Sequence, residues 1–172
     1  MDTLQAARAD FAGVVELTRE LVRVPSRGGI DPYDPVLGVM AAWLGRHGLV
    51  CRRLAGPGGS VVALTCEISG ERPGPRYVLD ACLDTAPFGD EAAWSCPPLS
   101  GTITGGWLHG RGSADSKAGA AIFAHVAVRL RDMAGASAAA WCCCTTSTST
   151  PAGSAARKPT SRARVPRTGW TG

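Results

Sequence analysis

Hydrophobic residues near the start of the chain recur at intervals of three and four: Leu4, Ala7, Phe11, Val14, Val15, Leu17, Leu21 and Val22. That spacing is the apolar stripe of an amphipathic helix running from Asp2 to Val24, which Pro25 ends. The stretch from Ser26 to Pro32 is a loop by composition. Asp34-Pro35 then pairs a capping residue with proline at the first helical position, so a second helix is expected to about His47, burying Val36, Leu37, Val39, Met40, Trp43 and Leu44. Behind Gly48 the period shortens. Residues 49–54, 61–68 and 77–83 are short, apolar or β-branched runs bounded by Gly and Pro clusters, which predicts three strands. Gly101 to Thr104 adds a further short strand, and Ser116 to Met133 returns to the helical period with Ile122, Phe123, Val126, Val128 and Leu130 as its apolar members. Helices alternating with apolar strands predict an α/β fold, a mixed sheet flanked by helices and covered on both faces.

Composition narrows the class. A chain of 172 residues with 45% hydrophobic and 19% charged residues suits one globular domain. Its apolar stretches are broken by charge or glycine well before the roughly 20 residues a bilayer crossing needs, and Asp2, Arg8 and Asp10 do not read as a leader, so a cytoplasmic protein without a membrane role is expected. The net charge of +4 comes from the end of the chain, where Arg157, Lys158, Arg162, Arg164 and Arg167 stand with no acid. Without those five, 13 basic residues face 14 acidic ones, which leaves no electrostatic footprint for nucleic acid. Seven cysteines, an odd number, read as thiols or metal ligands and not as a disulfide framework. The adjacent Cys142, Cys143 and Cys144 lack metal-binding spacing, because neighbouring strand residues point to opposite faces.

Two stretches carry chemistry. Leu79-Asp80-Ala81-Cys82-Leu83-Asp84-Thr85-Ala86-Pro87 places a soft ligand at the carboxyl end of a strand, the rim where open α/β sheets bind ligands, with an acid two residues later. Gly110-Arg111-Gly112-Ser113-Ala114-Asp115-Ser116-Lys117 places a second acid just before a helix. Glycines at 105, 106, 110 and 112 allow the intervening backbone to fold tightly, so that both loops converge on one metal.

These residues resemble the M20 metallopeptidases, a family that includes aminoacylases, acetylornithine and succinyl-diaminopimelate deacylases and glutamate carboxypeptidases. Cys82-Leu83-Asp84-Thr85-Ala86-Pro87 is similar to that family's His-x-Asp-Thr-Val-Pro, and the stretch Trp107 to Lys117 to its Gly-Arg-Gly-x-x-Asp-x-Lys. Trp94, Pro97-Pro98, Ser100-Gly101 and Leu21-Val22-Arg23-Val24-Pro25-Ser26 match as well, so the resemblance spans roughly residues 14 to 132. It implies part of the catalytic domain of a zinc-peptidase-like fold. It further implies that residue 82 binds one zinc, that Asp84 orients this ligand and tunes the site, and that Asp115 bridges two zinc ions. Such a pair activates a water for attack on the amide bond of an N-acyl amino acid or short peptide. Full-length relatives are often homodimers. Cys82 departs from the family's histidine, and a thiolate adds negative charge that makes the metal a weaker Lewis acid.

Beyond about residue 135 the pattern changes. Trp141-Cys142-Cys143-Cys144-Thr145-Thr146-Ser147-Thr148-Ser149-Thr150 shows no periodicity, and Pro, Ala, Arg and Ser follow. With the cysteines written TGC, reading from the last base of the Trp141 codon gives Val-Leu-Leu-His and then a run compatible with Tyr-Val-Asp-Glu-His-Thr-Gly-Gly. A buried strand entering an acidic motif is what the resemblance leads one to expect there. Residues 1–135 are therefore expected to be the N-terminal part of a zinc-hydrolase domain, and 136–172 a low-complexity, basic, disordered tail arising from a slipped reading frame. Such a chain lacks the general base and the remaining ligands and is expected to be inactive.

Other readings stand beside this one. Cys82 alone is a buried structural thiol, and Asp84 and Asp115 alone are turn or cap residues. His47, His109 and His125 read as structural, and Arg111 and Lys117 as loop-bracing groups. A remnant or binding module without metal is the alternative function. A nucleophilic Cys82 lacks a histidine placed to serve as its base.

Overall fold

The computed structural model describes residues 2–56, 58–72, 74–133 and 140–146, the last of these as backbone. The first helix, α1, spans Thr3–Val22, and α2 spans Asp34–Arg46 with Pro35 in its first turn. Strands β1 (Cys51–Ala55), β2 (Val61–Ile68) and β3 (Arg76–Cys82) follow close to their expected positions. Two short strands, β4 (Thr102–Thr104) and β5 (Trp107–His109), pair antiparallel. The helix α3 (Ala118–Asp132) then leads to β6 (Ala140–Thr146).

The β4–β5 hairpin goes beyond the single short strand expected. Gly105 and Gly106 both have positive φ (57° and 82°), which suits the turn joining twisted hairpin strands.

The main sheet has the order β1-β2-β6-β3. β6 runs antiparallel to β2 and parallel to β3, so the chain from β3 through α3 to β6 makes the crossover a parallel pair requires. The expectation of an unstructured tail from residue 136 is corrected for 140–146, which form an inner strand of the sheet. Its run of Trp, three Cys and two Thr shows no alternation, yet consists of residues that strands accept. The expected tail beyond residue 146 lies outside the described residues.

All three helices contribute to one core with the same face of the sheet: Leu17 and Leu21 of α1, Val36, Leu37, Met40, Trp43 and Leu44 of α2, Leu64, Cys66 and Ile68 of β2, and Ala81 and Leu83 after it. Glu67, Val78 and Asp80, which point the other way, are exposed. The expectation of a sheet covered on both faces is therefore corrected: among the described residues the helices lie on one side. Helix α3 also differs from expectation. Its buried positions are Ala120, Ala121, Ala124 and Ala127, while Ile122 and Val126 are exposed. Small side chains let α3 approach closely, and at Gly13 of α1 an added Cβ would stand 2.6 Å from the His125 ring. Asp10 accepts two hydrogen bonds from Arg129 (3.0 and 2.7 Å), fixing the crossing of α1 and α3.

Because Ala124 is fully buried against this close approach, Ala124→Leu overpacks the α3 seam. A loss of about 1–3 kcal/mol in urea-unfolding free energy is expected, against less than about 0.5 kcal/mol for a polar substitution at exposed Ile122.

Candidate functional site

Cys82 ends β3 at the carboxyl rim of the sheet and is half-buried. The loop that follows is pinned to the turn after α1. Ser26 Oγ donates to the Leu83 carbonyl (2.7 Å), the Thr85 amide donates to the Ser26 carbonyl (2.8 Å), and the Gly28 amide donates to the Thr85 carbonyl (2.9 Å). Leu83 is fully buried, so Asp84, next along an extended backbone, is turned out of the core and is half-buried. Any Cβ at residue 28 would lie 3.9 Å from Asp84 Oδ2 and 3.8 Å from the Tyr33 hydroxyl.

Asp115 sits in a kinked turn, Ser113–Lys117, that leads into α3; it and Ser116 leave helical angles, and the peptide between them is cis. Asp115 is exposed. Its neighbour Ser116 makes the direct link to the first motif: Ser116 Oγ accepts from the Cys82 amide (3.1 Å) and donates to the Cys82 carbonyl (2.8 Å). The two motif loops, thirty-odd residues apart in sequence, are thus fastened together at residue 82. Glycine is required where they meet. Gly112 has φ +81°, and a Cβ there would lie 2.6 Å from Thr85 Cγ2; at Gly110 it would lie 2.3 Å from Val22 Cγ1.

Lys117 is buried. Its Nζ donates to the carbonyls of Leu21 (2.8 Å), in the last turn of α1, and of Val24 (2.9 Å), just beyond the helix. Burial pulls its pKa down to about 8, opposed by the charge of Asp31. Asp31 is itself held below the usual carboxylate range by Arg27, which donates to both its oxygens at 2.7 and 2.8 Å. Arg27 also lies over the Phe88 ring, Trp94 Nε1 donates to the Phe88 carbonyl, and Arg111 lies over the Trp94 ring. Arg111 and Lys117 brace loops, as their positions in the sequence suggested. Sequence reasoning assigned no part to the contacts made by Ser116, Phe88 and Trp94, since polar or aromatic loop residues carry no periodic signal.

Trp43 packs between His47 (3.8 Å between rings) and His125 (4.6 Å), which gives both histidines a structural place. Among the described residues no group of three His, Cys, Asp or Glu is close enough together to hold a metal ion. The donor chemistry of Cys82 and Asp115 suits zinc, but the number of donors falls short of the four a tetrahedral site needs. No helix among the described residues is long and apolar enough to cross a membrane.

A sheet rim with two converging loops, one ending a parallel strand and one opening a helix, marks the ligand-binding edge of an α/β protein. Residues 78–139 match the family model described as Peptidase family M20/M25/M40. The chain is 37% identical over 122 residues to a succinyl-diaminopimelate desuccinylase of Bradyrhizobium diazoefficiens, covering 66% of this chain and 30% of that protein. It is 35% identical over 130 residues to succinyl-diaminopimelate desuccinylase 2 of a Ruegeria species, covering 74% and 32%. Similar folds are found in human carnosine dipeptidase 1 (TM-score 0.68, 19% identity, 87% of this chain and 34% of that one) and in a dinuclear metal binding peptidase from the M20 family of Bacillus subtilis (TM-score 0.59, 15% identity, 82% and 36%). The chain is a member of the M20 family of metallopeptidases and amidohydrolases. It spans about a third of the length of the curated relatives it matches.

Two measurements check this loop arrangement. Gly112→Ala is expected to cost more than about 1 kcal/mol, because it meets both the positive φ and the Thr85 contact, whereas Gly38→Ala, with open space around it, is expected to stabilise slightly. For Lys117, the unfolded chain keeps the ammonium up to about its ordinary value of 10.5, while the folded chain releases its proton near 8. The unfolded state binds more protons in between, so stability rises with pH across that window, by up to about 3 kcal/mol. The difference in unfolding free energy between the parent chain and Lys117→Met, measured from pH 7.5 to 10.5, reports this rise; a flat difference refutes it.

Proposed function

We propose that residues 1–135 are the N-terminal part of the catalytic domain of a dinuclear zinc hydrolase that cleaves the amide bond of an N-acyl amino acid or a short peptide, the first class favoured by the succinyl-diaminopimelate in the names of its relatives. The observation that carries this is the double hydrogen bond of Ser116 to residue 82, which brings the loop of Cys82 and Asp84 against the loop of Asp115. In this reading Cys82 and Asp115 are metal ligands and Asp84 is the positioning acid beside residue 82. A complete zinc pair would supply a water acidic enough to attack an amide near neutral pH. This chain offers two of the donors, and a thiolate in place of a neutral ligand lowers the net positive charge of the centre. The 172-residue chain is therefore proposed to be inactive alone, and the reading frame to have slipped between about residues 135 and 141.

The test is metal content together with hydrolysis of N-succinyl and N-acetyl amino acids. The purified chain is expected to retain less than one zinc per chain and to release no product. A longer product, made by restoring the shifted frame near residue 141, is expected to bind zinc and hydrolyse the amide in a chelator-sensitive way. Chelator-sensitive turnover by the 172-residue chain would overturn its proposed inactivity. Coding DNA without a strand-plus-acid motif in any frame would overturn the frame slip.

A further inference from the structure

Three cysteines lie in one row across the sheet, away from the rim just described. Cys51 of β1 stands opposite Cys66 of β2, and Cys66 stands opposite Cys143 of β6. We propose that Cys51 and Cys66 form a cross-strand dithiol that a small-molecule disulfide of the glutathione class converts to an intrachain disulfide.

Directly opposed residues of an antiparallel pair have Cα atoms about 4.5 or 5.5 Å apart, and both spacings lie within the range of about 4.4–6.8 Å that a disulfide spans. Both cysteines belong to the core face: Cys66 alternates with Leu64 and Ile68, and Cys51 packs against the same cluster. Their exposures differ in a useful way. Cys66 is 2% exposed, while Cys51 is half-buried at the start of an edge strand. A reagent in solution therefore meets Cys51 first. The Cys66 thiol also donates a hydrogen bond to the Cys51 sulfur, which lowers the Cys51 pKa and favours the thiolate on the accessible partner. Cys143 lies on an inner strand between β2 and β3, which puts it behind Cys66 as seen from the β1 edge.

The exchange balances in two displacements. The Cys51 thiolate attacks one sulfur of the small disulfide, forming a mixed disulfide and releasing the first small thiolate. Cys66 then gives its proton to solvent and attacks the Cys51 sulfur, releasing the second. The small disulfide is reduced to two thiols, and the two protein thiols are oxidised to one bond. Cys82 and Cys96, at the rim and in the following loop, are not paired with a cysteine in the strand register and are expected to remain alkylatable.

The experiment treats the native chain with oxidised glutathione, alkylates the remaining thiols and maps linked peptides by mass spectrometry. A Cys51–Cys66 linkage with Cys82 and Cys96 still alkylated is the expected result. Cys66→Ala is expected to stop at glutathione attached to Cys51, and Cys51→Ala to leave Cys66 unmodified in the native state. A Cys66–Cys143 linkage, retention of both thiols in the parent chain, or a Cys51–Cys66 linkage that forms only in urea would each overturn the proposal. The parent chain alone decides the question if a variant fails to fold.

Discussion

The dipeptide Ser116-Lys117 holds three separate parts of this chain in register. Ser116 bonds both backbone groups of Cys82 at the end of β3, and Lys117 bonds the carbonyls of Leu21 in the last turn of α1 and of Val24 just beyond it. Carbonyls at a helix end lack intrahelical partners, and here a buried ammonium adds a donor to the Leu21 carbonyl beside the Val24 amide. A charge held in that place is costly unless it is hydrogen-bonded, so the two carbonyls and the charge of Asp31 are conditions for the loop's position and not additions to it. Remove the ammonium and the turn carrying Asp115 loses its attachment to α1, although the bond at Cys82 remains.

How much of this was legible follows from which signals are periodic. The helices of residues 3–22 and 34–46 and the strand 61–68 were readable because each buries one regular face, and their limits agree within a few residues. Helix α3 was readable as a helix, but not in its orientation, because alanines carry the buried side and the larger Ile122 and Val126 lie outside. Hydrophobicity ranks those residues in the reverse order. The strand at 140–146 was missed because its run of Trp, Cys and Thr displays no alternation of apolar and polar residues, the signal by which a half-covered strand is read. In the site, Cys82, Asp84 and Asp115 could be singled out by residue type and position. The hydrogen bonds that join their loops run through a serine, whose hydroxyl has no sequence signature beyond its proximity to Asp115.

The glycines of the second motif show the same division between pattern and cause. Gly110 and Gly112 look alike as loop residues, and flexibility alone would explain either. In the folded chain each is a point of contact: Gly110 faces Val22 of α1 and Gly112 faces Thr85 after β3. The motif is thus a packing device that lets one loop pass between a helix end and a strand end, and its acid takes its place from that passage.

Burial is unevenly shared around this frame. The sheet packs its Leu64–Cys66–Ile68 face under the helices, while Val78 on the other face is 62% exposed and Phe11 on α1 is 69% exposed. The groove between α1 and α3, about 800 Å³ in volume, is lined by Phe11, Val14, Ile122, Val126, Leu130 and Met133. Apolar surface of this kind is stable in water only when something covers it or when the rest of the fold outweighs it. The core that outweighs it here is the one beneath α2, where Met40, Leu37 and Val36 have no exposure, and it lies on the side of the sheet away from Val78. Stability is therefore concentrated in α2, β2 and the end of α1. The rim that carries Cys82 and Asp115 hangs from that body by side-chain bonds to backbone, which fixes the loops' positions while leaving Asp115 open to solvent.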